Sequence, residues 1–126
     1  LCFAEIKHHN TRLLESDAYR AGCWAPSKEM AGAVAQVQAT VAIAMHKLHG
    51  MQRMMDDDGN PTGEDFFNFK PRAFIVIGSL NELTGEHGVN QDKLRSFELY
   101  RTSITGIDIM TFDELYERSK FIVESA

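Results

Sequence analysis

The tripeptide Glu5-Ile6-Lys7, close to the start of the chain, carries residue types suited to metal-assisted chemistry. Side chains two residues apart on an extended strand point the same way, about 6–7 Å apart along the backbone, so Glu5 and Lys7 would share a face. The Glu5 carboxylate can bind a hard cation such as Mg²⁺, with the Ile6 carbonyl as a second oxygen ligand. Lys7 can place its charge on an attacking water or on a phosphate. The alternative interpretation is an ion pair on an exposed strand edge.

A second polar pair, Gln36 and Glu29, is expected on the helix that follows. On a helical wheel the two residues lie within about 20° of each other, away from the apolar stripe. A glutamate and a glutamine on one flank can complete a polar site with Glu5 and Lys7. Taken alone, the pair is explained more simply by a solvated helix face.

The first elements that must position these residues follow from hydrophobic periodicity. The opening run alternates after Phe3, which predicts a short strand with Glu5 and Lys7 on its polar face. Ala4 and Ile6 are expected on its core face. Ser27 is expected to cap a helix that runs to about residue 48. Its apolar residues recur every three or four positions: Met30, Val34, Val37, Val41, Met45 and Leu48.

The rest of the chain alternates between strand and helix patterns. A continuous apolar run is typical of a buried strand, and Thr111 to Glu114 form a capping box that predicts the last helix. The order of elements indicates an α/β sandwich in one domain. After the first strand, the predicted segments are an irregular stretch at 8–26, the first helix, a long loop at 49–71, a strand at 73–78, a helix at 89–103, a strand at 106–110 and a helix at 111–124.

Composition limits the class of protein. The 126 residues are 44% hydrophobic and 25% charged, as in an ordinary globular domain, which excludes a disordered tail or a disulfide-stapled miniprotein. No apolar run approaches the roughly 20 residues of a membrane helix. With a net charge of −5, nucleic-acid binding needs a local basic patch. Cys2 and Cys23 show no metal-site or disulfide spacing and no signal peptide is visible, so we expect reduced thiols in a cytoplasmic protein.

The chain opens without an initiator Met and already inside an apolar run. Domains rarely begin in mid-strand, because termini usually lie in exposed polar segments. We therefore expect residues 1–126 to form a single domain that is a piece of a longer protein and lacks its N-terminal strand or strands.

Two metal-site patterns elsewhere are incomplete. The acidic run Asp56–Asn60 alternates like a calcium loop, but Pro61 and Phe67 stand where that loop needs glycine and glutamate. A solvated acidic loop is therefore expected. His46 and His49 are spaced for one helix face, but no further cysteine or histidine follows at zinc spacing, which favours surface histidines.

A series of short motifs runs along most of the chain. They are residues 5–7, 11–14, 19–20, 27–30, 33–38, 70–78, 97–101 and 107–115. In this order they resemble the nuclease core of the Shedu antiphage defence family, and the resemblance fails only across the acidic loop. It implies a PD-(D/E)xK nuclease with a restriction-endonuclease-like sandwich, in which helices flank a central mixed sheet.

The resemblance also implies roles for individual residues. Glu5 matches the acidic metal ligand, Lys7 the catalytic lysine, and Gln36 the glutamine of a helical Q-x-x-x-Y motif. The implied cofactor is Mg²⁺, with Mn²⁺ as a substitute. The implied partners are DNA, expected to be double-stranded, and further copies of the chain.

Basic residues near the proposed site are the expected phosphate-contacting group. Arg12, Arg20 and Lys28 are assigned to DNA binding, and their proximity is inferred from the resemblance. The wider group also contains Lys7, Lys70 and Arg72.

Three departures from the family's pattern bear on activity. The family's first acidic residue lies on a strand that would precede Leu1, Thr40 stands where the helical motif has tyrosine, and His8-His9 replace the usual residues after the lysine. Without the first acid the site should hold metal poorly. The alternative function is therefore a non-catalytic regulatory or oligomerisation module that retains the nuclease fold.

Overall fold

A three-stranded parallel sheet in the order β1-β4-β7 organises the fold. The computed structural model describes residues 1–47, 50–68 and 71–126. The elements are β1 (Cys2–Ile6), α1 (Lys28–Lys47), β2 (Gly50–Met55), β3 (Pro61–Asn68), β4 (Arg72–Val76), a short 3₁₀ helix (Leu80–Leu83), β5 (Thr84–Gly85), β6 (Gly88–Val89), α2 (Gln91–Ser103), β7 (Ile107–Met110) and α3 (Phe112–Ser125).

The predicted α/β class is confirmed. Parallel pairing is found in the central sheet, and antiparallel pairing in two ribbons, β2-β3 and β5-β6. Residues 8–26 contain no helix or named strand, as predicted, and are held by isolated bridges from Leu14 to Pro26 and from Arg20 to Cys23. No helix in the described ranges is long and apolar enough to cross a bilayer.

One face of the sheet packs against the helices to form the core. The register places Phe3 beside Ala73 and Ala73 beside Ile107, so these three side chains lie on the same face. The apolar stripe of α1 packs against this face from Met30 to Val41, as its periodicity predicts, whereas Met45, predicted on the same stripe, is exposed and Leu48 lies outside the described residues. The buried core residues of the described chain are Leu13, Leu14, Met30, Ala33, Val34, Val37, Val41, Ala73, Ile75, Ile77, Leu83, Phe97, Ile107 and Ile109.

The predicted orientation of β1 was wrong. Ile6 is 67% exposed and Ala4 is also exposed, whereas Phe3, Glu5 and Lys7 are half-buried. Phe3 packs against the core. Because side chains alternate along a strand, Glu5 and Lys7 point to the same side as Phe3. Glu5 and Lys7 therefore lie on the helix-covered face of the sheet.

The long loop predicted at 49–71 was also wrong, because β2 and β3 form an antiparallel hairpin there. The acidic run makes its turn: the Asp56 carboxylate accepts hydrogen bonds from the backbone N–H groups of Asp58 and Asn60. Gly59 supplies a positive φ of 82°. The acidic residues are exposed, as expected, but they close a hairpin. His49 lies outside the described residues, and His46 is exposed.

Arg101 connects α2, β7 and α3. Its guanidinium donates hydrogen bonds to the carboxylates of Glu98 and Glu114 and to the Ile109 carbonyl. Glu114 also accepts from the Thr111 N–H at 3.0 Å, which confirms the predicted capping box of α3. Burial alone would raise the pKa of Glu114, but the hydrogen bonds and charge of Arg101 and the Thr111 N–H outweigh it and lower the pKa on balance.

We expect this network to make stability fall in acid. Because folding lowers the pKa of Glu114, its carboxylate contributes its full stabilisation of the fold at pH values above the unfolded pKa, ordinarily 4.5. This stabilisation is lost as the pH falls through the pKa of the folded state. Glu114→Gln should cost about 2 kcal/mol at neutral pH. The gap in melting temperature between Glu114→Gln and the parent should close in acid. A gap that stays constant with pH would contradict this account, and Glu117→Gln on the exposed side of α3 is the control.

Candidate active site

The carboxyl ends of the three parallel strands are joined directly to one another. The Lys7 N–H donates to the Val76 carbonyl at 2.9 Å, and the Gly78 N–H donates to the His8 carbonyl at 3.2 Å. The Phe112 N–H in turn donates to the Gly78 carbonyl at 3.0 Å. This edge of a parallel sheet is where α/β folds usually place their ligands. The structure therefore puts Lys7 at the edge that favours a site.

Glu5 and Lys7 share one face, as their spacing predicts, and form the ion pair that the alternative interpretation expects, on a strand at the edge of the sheet. The Lys7 Nζ lies 3.4 Å from the Glu5 Oε1, and the side chains are 27% and 24% exposed respectively. Partial burial lowers the local dielectric constant, so each charge acts more strongly on a group placed between or beside them. The pair is more enclosed than the strand-edge interpretation requires.

The oxygen atoms at this pair fit part of a magnesium site. Mg²⁺ keeps several waters and is usually bound by only one or two carboxylates together with substrate phosphate. Glu5 supplies a carboxylate, and the Ile6 carbonyl is the neighbouring oxygen. Within 1–47, 50–68 and 71–126, no three acidic, histidine or cysteine side chains cluster around one point that suits a metal ion. The described ligand set is thus a partial one.

Gln36 lies on the exposed side of α1. Its backbone carbonyl accepts a hydrogen bond from the Thr40 hydroxyl at 2.9 Å. In the described part of the chain, its side chain makes no hydrogen bond to Glu5 or Lys7. Glu29, predicted on the same flank, is exposed in the first turn of α1.

The predicted basic residues are only partly brought together. Arg12 and Lys28 line one surface hollow of about 340 Å³, which Glu15 and Glu29 also line, so two acids accompany the two cations. Arg20 lies elsewhere, at the bridge to Cys23 and with its guanidinium over the Tyr19 ring.

Two further basic residues of the wider group do not join this hollow. Arg72 begins β4, at the opposite end of that strand from the carboxyl edge, and pairs with Asp108 at 3.8 Å. Lys70 lies outside the described residues.

Sequence reasoning missed Glu82, which holds the loop that carries Arg12. The Glu82 carboxylate accepts hydrogen bonds from the backbone N–H groups of Leu13 at 2.6 Å and Leu14 at 2.9 Å. The local pattern at this residue is Ser79-x-x-Glu82 after a buried strand. That spacing is typical of a helix start, and it does not indicate a contact with the distant loop. Ser79 does cap the 3₁₀ helix, but the glutamate reaches across to the loop instead.

Gly78 permits the close approach of this loop, and its replacement should be costly. Its φ is +64°, and an added Cβ would lie 2.6 Å from the Thr11 carbonyl oxygen. We expect Gly78→Ala to lower the free energy of unfolding by about 3 kcal/mol, measured by urea denaturation. Gly32→Ala is the matched control, because a Cβ there meets nothing within 4 Å and should stabilise α1 slightly. Equal stability of the two variants would contradict the close approach.

Comparison with known proteins gives two matches. The family model described as "Shedu protein SduA, C-terminal" matches residues 1–116. The curated Shedu protein SduA of Bacillus cereus (strain B4264) is 30% identical over 120 residues, which cover 95% of this chain and 30% of that protein. The chain thus spans about 30% of the length of the curated relative that it matches.

Proposed function

This chain belongs to the Shedu SduA C-terminal family, and from that premise we propose that it is the metal-dependent DNA endonuclease domain of an antiphage defence protein. The reaction would be hydrolysis of phosphodiester bonds, on a restriction-endonuclease-like fold. One observation carries the proposal: Glu5 and Lys7 form a half-buried pair 3.4 Å apart where β1 reaches the carboxyl edge of the sheet.

The proposed mechanism assigns a separate task to each residue. Glu5, together with the Ile6 carbonyl, would hold Mg²⁺ or Mn²⁺, which when bound supplies Lewis acidity and lowers the pKa of a bound water. Lys7 would place its ammonium against a non-bridging phosphate oxygen and stabilise the charge that develops there in the transition state. Gln36 would orient the attacking water or the lysine, after its side chain turns toward them.

Binding of DNA is proposed to depend on a local patch. The net charge of −5 disfavours binding of DNA across the whole protein surface. Arg12 and Lys28, which share one hollow, are therefore the first candidates for phosphate contacts. Arg20 would contact phosphate farther along the duplex. Because both strands of a duplex must be cut, we also propose that the protein acts as a homo-oligomer.

The proposal is tested by incubating the purified protein with supercoiled and linear DNA in Mg²⁺, in Mn²⁺ and in EDTA. We expect nicked or linear products with either metal and none with EDTA. Intact DNA under all three conditions would contradict the proposed endonuclease.

The alternative is a regulatory or oligomerisation module that keeps the fold without catalysis. The observation in its favour is Thr40, whose hydroxyl is already bonded to the Gln36 carbonyl and which offers no phenol at the position where the family's helical motif has tyrosine. Self-association in sedimentation experiments, without cleavage in any metal, would favour this alternative.

A further inference from the structure

A polar cleft begins two residues after Lys7, and of the residues that line it the proposed function uses only Arg12. It has a volume of about 410 Å³ and lies between the loop after β1 and the 3₁₀ helix after β4. We call it the His9–Asn81 cleft, after a residue from each wall. Its volume lies within the range of sites that accept small organic ligands.

The two walls of the cleft are held in fixed positions. Glu82 accepts hydrogen bonds from the Leu13 and Leu14 N–H groups, which ties the 3₁₀ helix to the loop. Gly78 approaches the carbonyl of Thr11, a residue that lines the cleft, so closely that no side chain would fit. The cleft is therefore formed before any ligand arrives, which reduces the entropy lost on binding.

The charges in the cleft favour a neutral ligand. Its cation, Arg12, lies 3.9 Å from the Glu82 carboxylate, and its Nε–H already donates to the Leu14 carbonyl. Glu82 offsets much of the charge of Arg12 on the cleft side, so Arg12 would act on phosphate mainly in the hollow that it shares with Lys28. A neutral group that can form hydrogen bonds is the better match.

Two side-chain amides and one ring supply the recognition chemistry. The amides of Asn10 and Asn81 line the cleft and form no hydrogen bond with any other part of the described chain. Each offers a donor and an acceptor side by side, the pattern that matches the edge of adenine. The exposed His9 ring is held by its neighbours, with ring centres 4.1 Å from that of His8 and 6.4 Å from that of Phe112, and its aromatic face can stack on a base.

We propose that the His9–Asn81 cleft binds one unpaired nucleobase of the DNA, with adenine as the best match; this rests on the proposed function. His9 stacks on the base, and the amides of Asn10 and Asn81 bond its edge. Since the cleft begins two residues after Lys7, the bound nucleotide lies next to the phosphate presented to the active site. Base contact would also compensate for the weak attraction between DNA and an acidic protein.

The test compares the affinity of the protein for a fully paired duplex with its affinity for the same duplex carrying one bulged adenine. Fluorescence anisotropy in EDTA measures binding without cleavage. We expect the parent to bind the bulged duplex roughly tenfold more tightly, the size of one good amide–base pair. The Asn10→Ala/Asn81→Ala double variant should lose this preference and bind paired DNA as before. Asn60→Ala, at the hairpin tip, is the matched control and should keep the preference.

The outcomes distinguish a failure of the base-binding proposal for the cleft from a failure of the proposed endonuclease function. Equal affinity of the parent for both duplexes, or a preference that persists in the double variant, overturns the cleft while leaving the endonuclease proposal intact. No binding to either duplex overturns both. Asn81→Asp, which keeps the side-chain shape, provides the same test if the double variant does not fold, and should also lose the preference.

Discussion

Replacing Lys7 with alanine is expected to abolish DNA cleavage while the domain stays folded. In the proposed mechanism the ammonium stabilises charge on the phosphate beside Glu5, and loss of such a preorganised contact costs about a hundredfold to a thousandfold in rate. Stability should change little, because the half-buried pair with Glu5 contributes at most about 1 kcal/mol and Lys7 is not among the buried core residues of the described chain.

The measurement for Lys7→Ala is the rate of plasmid nicking in Mg²⁺, with a thermal melt of the same sample. Lys120→Ala on α3 is the matched control, because that lysine is exposed and far along the chain from the pair. Nicking at the parental rate by folded Lys7→Ala would refute the role assigned to the lysine.

Val37→Asp is expected to unfold the domain. Val37 is 3% exposed on the stripe of α1 that packs against the sheet. A carboxylate at this position has no cation to pair with in the core, and an uncompensated buried charge costs about 3–5 kcal/mol, a large part of the stability of a domain of this size.

Circular dichroism during thermal unfolding measures the effect of Val37→Asp. Gln38→Asp, one position along the same helix, introduces the same side chain on the exposed side and should cost less than about 1 kcal/mol. A cooperative transition of Val37→Asp close to that of the parent would show that the orientation of α1 is wrong.

The features that sequence predicted best depend on local pattern. The buried stripe of α1 continues over about three turns from Met30 to Val41, so a single periodicity outweighs any competing signal. The capping box at Thr111 needs only residues three apart. The hairpin was missed because an acidic run was interpreted by composition, whereas the Asp56 carboxylate acts locally as a turn acceptor. The facing of β1 was inverted because five residues give too few alternations, and Phe3 decided the side.

In the candidate site, too, the contacts between residues close in sequence could be predicted and the long-range contacts could not. Glu5 and Lys7 could be predicted as neighbours, because a strand fixes their spacing. Glu82 could not, because it bonds backbone groups 68 and 69 residues away, and no local pattern reports such a contact. Arg12 and Arg20 were grouped from the resemblance, but Arg20 does not line the hollow that Arg12 and Lys28 share, and its guanidinium lies over the Tyr19 ring.

We propose that Glu5 holds the metal ion that DNA cleavage requires. The Mg²⁺ dependence of cleavage by the parent and by Glu5→Gln tests this proposal. Glutamine keeps the shape of the side chain and removes its charge, while Glu117→Gln, exposed on α3, is the control. We expect parental cleavage to rise with Mg²⁺ and to stop in EDTA. We expect Glu5→Gln to show no cleavage at any Mg²⁺ concentration that saturates the parent. Equal cleavage by Glu5→Gln and the parent, or cleavage that persists in EDTA, would contradict this proposal.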